Sequence, residues 1–319
     1  MKKIICVLMS CMLLVMSGCS GHSKNIRFGA ADIGGMYYSF ASTFTQLADK
    51  EIDGYTFETK TTAGSVANLR LISDGYIELA IVQANLLSDA YNATGAFEDK
   101  KYQKGYKAVA ALYTEGCQIV VRKDSGITSV DDLINKKVSV GASESGTEKN
   151  AEQILKMSGI TDELINKVNM DYTEAAEKLK NGEIDAFFCT AGTRTGVIDQ
   201  LSKECDIRLL SLDDKCIDKM LSAYSLCEKY TIPAGTYQGQ DSDVTTIGVK
   251  AVLIAKQSLS DDVIKNVTKT LFEHASDFKY ATSLDITFDI NEAADGVDIP
   301  FHKGAAAYYT EHAISVLTE

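Results

Sequence analysis

Short apolar runs alternate with amphipathic stretches along most of this chain, each set off by glycine or a polar turn, and that rhythm constrains its fold more than any other feature. A brief apolar run suits a strand buried on both faces. A following stretch with apolar residues three and four apart suits a helix packed over that strand. Residues 26–30 read as the first strand, 36–50 as a helix with Phe40, Phe44, Leu47 and Ala48 on one face, and 65–75 as a second helix closed by Gly75. Leu79–Gln83 reads as a buried strand, 86–93 as a short helix, and 108–113 and 118–122 as two separate strands. From Asp124 the rhythm restarts: Ser129 caps a short helix, and strands at 138–141, 168–170, 184–189 and 207–211 alternate with helices Gly146–Met157, 173–180, 197–202 and 214–221. A loop over 230–240 leads to one long strand at 245–255, a helix over 260–280 and a helical tail over 304–317.

Two α/β blocks without a proline-rich linker predict two lobes joined by crossing strands rather than by a tether. The 319 residues exceed the roughly 100 to 200 of one domain, and 45% hydrophobic residues with only 2 prolines exclude a disordered or collagen-like chain. The expected division is 26–118 with 250–319 as lobe I and 119–249 as lobe II, with crossing strands near 118–122 and 245–254.

Residues 1–18 have the form of a secretory signal: Lys2 and Lys3, an apolar stretch broken by Ser10, then Ser17-Gly18 ahead of Cys19. The apolar stretch is shorter than the ~20 residues a spanning helix needs. Small residues directly before Cys19 match a bacterial lipoprotein box, in which that cysteine carries lipid and residues 19–25 form a tether; plain signal cleavage near Gly18 is the alternative. The protein is therefore expected outside the cytoplasm, anchored to the membrane through Cys19. Its formal charge of -12, with no basic block, argues against a nucleic-acid partner. Loss of 1–18 removes two lysines and no acid, leaving 30 basic residues against 44 acidic, or -14.

Five cysteines follow Cys19: Cys117, Cys189, Cys205, Cys216 and Cys227. An odd number without C-x-x-C spacing, beside scattered histidines, favours buried small side chains over a zinc or redox site; one or two incidental disulfides stay open. No metal or cofactor is expected. The glycines of Gly29-Ala-Ala-Asp-Ile-Gly34 do not have dinucleotide-binding spacing. In Gly141-Ala-Ser-Glu-Ser-Gly146-Thr147 the glycines are spaced as in a phosphate loop, but Thr147 stands where the lysine must be. G-x-S-x-G and H-E-x-x-H are absent, and acidic pairs such as Asp131-Asp132 suit a solvated face, so an enzyme is not expected. Three glycine turns between strand and helix, at Gly34-Gly35, Gly64-Ser65 and Ser145-Gly146-Thr147, instead offer unpaired amides where a helix dipole favours an anion.

Gly34-Gly-Met-Tyr-Tyr38, Gly64-Ser-Val-Ala-Asn-Leu-Arg-Leu71, Leu79-Ala-Ile-Val-Gln83, Ser145-Gly-Thr147, Asp185-Ala-Phe-Phe188, Ile232-Pro-Ala-Gly-Thr-Tyr237 and Pro300-Phe-His-Lys-Gly-Ala305 occur in the order seen in TAXI-type solute receptors of TRAP transporters, and the chain resembles that family from about Ile26 to Glu311. The resemblance implies a type II periplasmic-binding-protein fold, two α/β lobes with a ligand cleft between them. It also implies delivery of the ligand to an ion-driven TRAP permease. Carried over, the pattern makes Gly35, Tyr37, Ser65, Asn68, Gln83, Gly146, Thr147, Thr190, Ala191 and Gly192 the ligand-binding residues. Their amides, hydroxyls and carboxamides suit a small carboxylate such as glutamate, glutamine or a related dicarboxylate. Two departures bear on that ligand: Asn85 where an aspartate is common, and Arg194 where a proline is common, which tilt the expectation towards a more anionic ligand unless Arg194 is a solvated charge. An enzyme on the same fold, and a receptor serving an ATP-driven importer or a sensor, are the alternative readings.

Overall fold

A computed structural model describes residues 24–99, 102, 105–282 and 288–319. The signal segment and Cys19 lie outside the described residues. Among the described residues ten strands form one mixed sheet: β1 (Lys24–Gly29), β2 (Tyr55–Lys60), β3 (Leu79–Gln83), β4 (Tyr106–Arg122), β5 (Lys137–Ser139), β6 (Asn166–Val168), β7 (Ala186–Ala191), β8 (Ile207–Leu209), β9 (Cys227–Ile232) and β10 (Val244–Lys256). Their order is β2-β1-β3-β10-β4-β7-β5-β6, with β8 on β4 and β9 on β10. The helices are α1 (Met36–Glu51), α2 (Ser65–Ser73), α3 (Ala84–Asn92), α4 (Gly146–Met157), α5 (Tyr172–Lys180), α6 (Gly196–Glu204), α7 (Asp214–Ala223), α8 (Asp261–Glu273), α9 (Ala275–Thr282) and α10 (Lys303–Glu311).

The antiparallel pair β4 and β10 is the spine that joins the two lobes. Both strands are apolar on both faces through most of their length, which permits burial under helices on either side. The 17 residues of β4 span about 55 Å at the usual rise per residue, enough to serve both lobes. Its first part pairs with β10 beside β3, while Gly116–Val121 pairs with β7 in the second lobe. One hydrophobic cluster reaches along β4 as far as Tyr113 and includes Ala251 to Ala255 of β10; another begins at Cys117. Along β4 the apolar packing thus passes from one cluster to the other between Tyr113 and Cys117.

Lobe I closes over an aromatic group in which Phe40 stacks on Phe278 at 4.6 Å and Phe44 meets Phe28 edge-on at 5.7 Å. Alternation shows directly in lobe II. Ile119 and Val121 of β4, with Phe188 of β7, feed one cluster, while Val120, Phe187 and Cys189 feed the cluster on the opposite face. All five described cysteines are free thiols, with Cys117, Cys189 and Cys216 buried.

Four readings of the sequence are corrected. The strands expected at 108–113 and 118–122 are one strand; Thr114-Glu115-Gly116 reads as a polar break, yet the backbone stays in the ladder. The loop expected from Tyr230 begins only after Ile232, because β9 pairs with β10. The helix expected over 260–280 divides at His274, and the tail helix stops at Glu311 instead of 317. Strand β2 has no counterpart in the sequence reading: it is an edge strand with one buried residue, Phe57, and carries almost no apolar signal. The cap read at Ser129 is present as a capping box, on a short 3-10 turn.

Candidate functional site

Two helix starts from opposite lobes meet at one small cavity of about 30 Å³. Gly64, with φ 118, turns the chain into α2 in a backbone region that favours glycine, and the Ser65 hydroxyl accepts a hydrogen bond from the Gln83 amide at 3.1 Å. Opposite, Ser145 caps α4 by accepting from the Glu148 amide at 2.9 Å, and Gly146 follows it. A Cβ on Gly146 would lie 2.6 Å from the Gln83 side chain, so glycine is what lets the lobes approach this closely.

The lobes are closed on each other by named contacts. Asn150 donates to Gln83 Oε1 at 3.0 Å, the Ala67 amide donates to the Glu144 carbonyl at 3.0 Å, and Arg70 grips the Glu144 carboxylate. On the lobe II side Thr147 bonds Tyr172, the Thr190 amide donates to Thr147 Oγ1 at 3.1 Å, and Tyr172 donates to the Thr190 carbonyl at 3.0 Å. This lattice orients the hydroxyls of Thr147 and Tyr172.

Seven of the ten residues expected from sequence line the cavity: Tyr37, Ser65, Gln83, Gly146, Thr147, Thr190 and Ala191. Gly35 stands at the rim as the N-cap of α1, where a Cβ would lie 3.9 Å from the Tyr172 ring. Gly192 is set back, its carbonyl accepting from Thr195 at 2.9 Å. Asn68 is fully buried and fully engaged: Nδ2 donates to the carbonyls of Gly29, Ala30 and Ile81, and Oδ1 accepts from Thr62 at 2.7 Å. It braces the ends of β1 and β3.

Glu115 and Tyr172 line the same cavity and escaped the sequence reading. Glu115 is buried, and Tyr37 donates to its Oε2 at 2.7 Å. Burial pushes its carboxyl up to about 8, against hydrogen bonds from Tyr37 and Gln83 that favour the ionised form. Burial, with the Glu115 charge second, holds the Tyr37 phenol well above its ordinary value. At the rim, burial and then the charge of Asp171 across the cleft push Asp32 up to about 6.

Neither sequence departure reaches this cavity. Arg194 is exposed and paired with Asp199 at 2.6 Å, in the first turn of α6, so it is a solvated surface charge. Asn85 is buried beside a separate, larger hollow of about 690 Å³, which Asp89 and the α4 side chains Lys149, Glu152 and Gln153 also line. Size alone would point there, but its wall holds an ion pair, Lys149–Glu152 at 2.8 Å, and it lies apart from the facing helix starts at Gly64-Ser65 and Ser145-Gly146. Among the described residues no group of His, Cys, Asp or Glu could hold a metal, and no helix is long and apolar enough to cross a membrane.

A mixed sheet crossing twice between two helix-covered lobes, with paired helix starts facing across a closed cleft, defines a periplasmic-binding-protein-like fold. Within that class the chain belongs to the NMT1-like family, which matches residues 28–312. Solved structures with the same fold include a provisional L-cystine ABC transporter from Listeria monocytogenes, at 13% identity over 83% of this chain and 98% of that one, with a TM-score of 0.53. A Xanthomonas citri protein solved with ATP bound is similar at 12% identity over 83% and 90%, TM-score 0.52. A Bordetella bronchiseptica protein is similar at 15% identity over 92% and 83%, TM-score 0.54.

Proposed function

We propose that this chain is an extracytoplasmic solute receptor that captures a small ligand by lobe closure and presents it to a membrane importer. The observation that carries the reading is the small cavity at the meeting of α2 and α4, to which both lobes bring hydroxyl, carboxamide and carboxyl groups, bridged by contacts that exist only when the lobes are together. A carboxylate at the amides and hydroxyls of Ser65, Gly146 and Thr147 matches the partial positive charge of both helix starts. Tyr37, Gln83, Thr190 and Ala191 would complete the contact set. Glu115 is met by two hydrogen-bond donors, an arrangement for holding rather than for acid-base transfer to a nucleophile, which weighs against an enzyme.

The partner is an importer of ABC type. The provisional L-cystine ABC transporter with the same fold favours ATP-driven import over the TRAP permease implied by the sequence resemblance. That TAXI-type reading remains the second, carried by the seven ordered segments and by their glycine turns at the cavity. Lipid on Cys19 would tether the receptor beside its importer. Proteoliposomes holding the permease encoded beside this chain separate the two readings: uptake that needs internal ATP supports the first, and uptake driven by an ion gradient alone supports the second. Calorimetry of the purified protein against small amino acids, carboxylates and amines tests the receptor reading itself; no binding by any would sink it.

A further inference from the structure

A buried carboxyl is costly unless it is neutral or paired, and Glu115 is aimed into a cavity that no lysine or arginine lines among the described residues. Arg70, at the cleft contacts, is bonded through Nε and Nη2 to Glu144. What faces Glu115 is Tyr37 from α1, Gln83 from β3, Tyr113 of its own strand, Tyr172 from α5 and the Cys189 thiol of β7, with Asp32 acting on the Tyr172 side. None of these is a cation. The Tyr37 and Tyr172 side chains line the cavity, and the buried Tyr113 hydroxyl has no hydrogen-bond partner among the described residues. A carboxylate with electron-rich rings beside it and no resident counter-charge is the chemistry that receives a cationic nitrogen.

We infer that the cleft recognises a ligand bearing a cationic nitrogen, with Glu115 as its counter-charge and the rings of Tyr37 and Tyr172 beside it. This rests on the receptor reading above and narrows its ligand class. With a carboxylate at the helix starts and the nitrogen at Glu115, the ligand is a zwitterion of amino-acid type; a plain dicarboxylate would set a second negative charge against Glu115. Asn85 therefore removes nothing, because the acid that serves the nitrogen comes from β4 and not from the start of α3.

Binding is also linked to a proton. With its carboxyl near 8 in the free protein, Glu115 is mostly protonated at pH 7, and a bound cation holds it ionised, so the proton leaves for the buffer. Affinity rises with pH, by up to about ten-fold per unit below 8. A protonated Glu115 donating to a ligand carboxylate would give the opposite sign.

The test is calorimetry at pH 6, 7 and 8 in Tris and in phosphate, with matched probes: L-glutamine against glutaramate, L-glutamate against glutarate, L-alanine against propionate, and putrescine alone. The expected result is binding of at least one amine-bearing probe, at least ten-fold weaker binding of its deaminated match, and proton release. Glu115→Gln keeps the size and the bond from Tyr37; it should lose at least ten-fold for the amine and leave the deaminated acid within about two-fold. A side chain that only shaped the fold would change both alike. Equal or tighter binding of the deaminated acid, proton uptake, or an unchanged amine affinity in Glu115→Gln overturns the inference while leaving the receptor reading intact. No binding by any probe overturns the receptor reading, and the inference falls with it.

Discussion

Arg70 of α2 and Glu144 of the loop before α4 form a two-point ion pair across the lobes, Nε to Oε1 at 3.0 Å and Nη2 to Oε2 at 2.6 Å. The same Glu144 gives its carbonyl to the Ala67 amide, so one residue latches side chain and backbone at once. Because both side chains are partly exposed, water and salt screen the pair, and its worth is about 0.5 to 1 kcal/mol. Arg70→Ala should therefore weaken ligand binding about two- to five-fold, with the difference shrinking as salt is raised. Small-angle scattering of the liganded variant should show a larger radius of gyration than wild type. Equal affinity at low salt would show that the latch does not contribute to closure.

Gly146 offers a sharper test of closure. Its φ is not in the left-handed region and it opens α4, so alanine is compatible with the backbone and with the helix. The obstacle is across the cleft, where the new Cβ would meet Gln83, a side chain held by Asn150 at 3.0 Å. Overpacking of this kind costs about 1 to 3 kcal/mol, and opening the lobes relieves it. Gly146→Ala should keep the thermal midpoint of the ligand-free protein within about 2 °C and lose at least five-fold in affinity. A large fall in the midpoint without loss of affinity would contradict this.

Asn68 should behave in the opposite way. Its amide satisfies three buried carbonyls at the ends of β1 and β3, and none of its atoms faces the cavity. Asn68→Ala takes this donor from all three carbonyls, of which that of Ala30 keeps the Thr62 hydroxyl at 3.0 Å, a loss of about 2 to 4 kcal/mol in stability by chemical denaturation. Ligand affinity, measured well below the melting range, should stay within about three-fold. A loss of affinity much beyond that with little loss of stability would return Asn68 to the ligand contacts.

The difference between these residues explains how far the sequence could be read. Leu79–Gln83 and Gly146–Met157 were legible to the residue, because an unbroken apolar run and a serine cap followed by 3.6-residue periodicity are local signals. The glycine turns were legible for the same reason, and with them most of the cavity lining. Glu115 was not, because its burial is created by α1, β3 and lobe II closing around β4, and a lone acid between two apolar runs looks like a turn. Nor could sequence divide Asn68 from Gln83, since a carboxamide serves equally well as a brace or as a ligand contact. Partners decide the role, and partners come from the fold.

The raised carboxyls at Glu115 and Asp32 also fix the sign of the stability change with pH. Folding lifts Glu115 from 4.5 to about 8 and Asp32 from 3.8 to about 6, so the folded protein keeps protons that the unfolded chain has already released. Between the ordinary carboxyl range and pH 8 the ligand-free protein must therefore lose stability as pH rises, with the loss complete above about 8 and on the order of a few kcal/mol. Carboxylates held low, such as Glu78 beside Arg27 and Asp199 beside Lys203 and Arg194, act below this window and do not offset it. Two histidines do fall inside it and oppose each other: a hydrogen bond to Asp277 raises His274, and burial lowers His302. Urea midpoints at pH 5, 6.5 and 8 should fall in that order for wild type. In Glu115→Gln the fall between 6.5 and 8 should largely vanish, and in Asp32→Asn the fall between 5 and 6.5 should lessen. A wild-type midpoint that rises towards pH 8 would mean that Glu115 is already charged in the folded protein, with a counter-charge supplied from elsewhere.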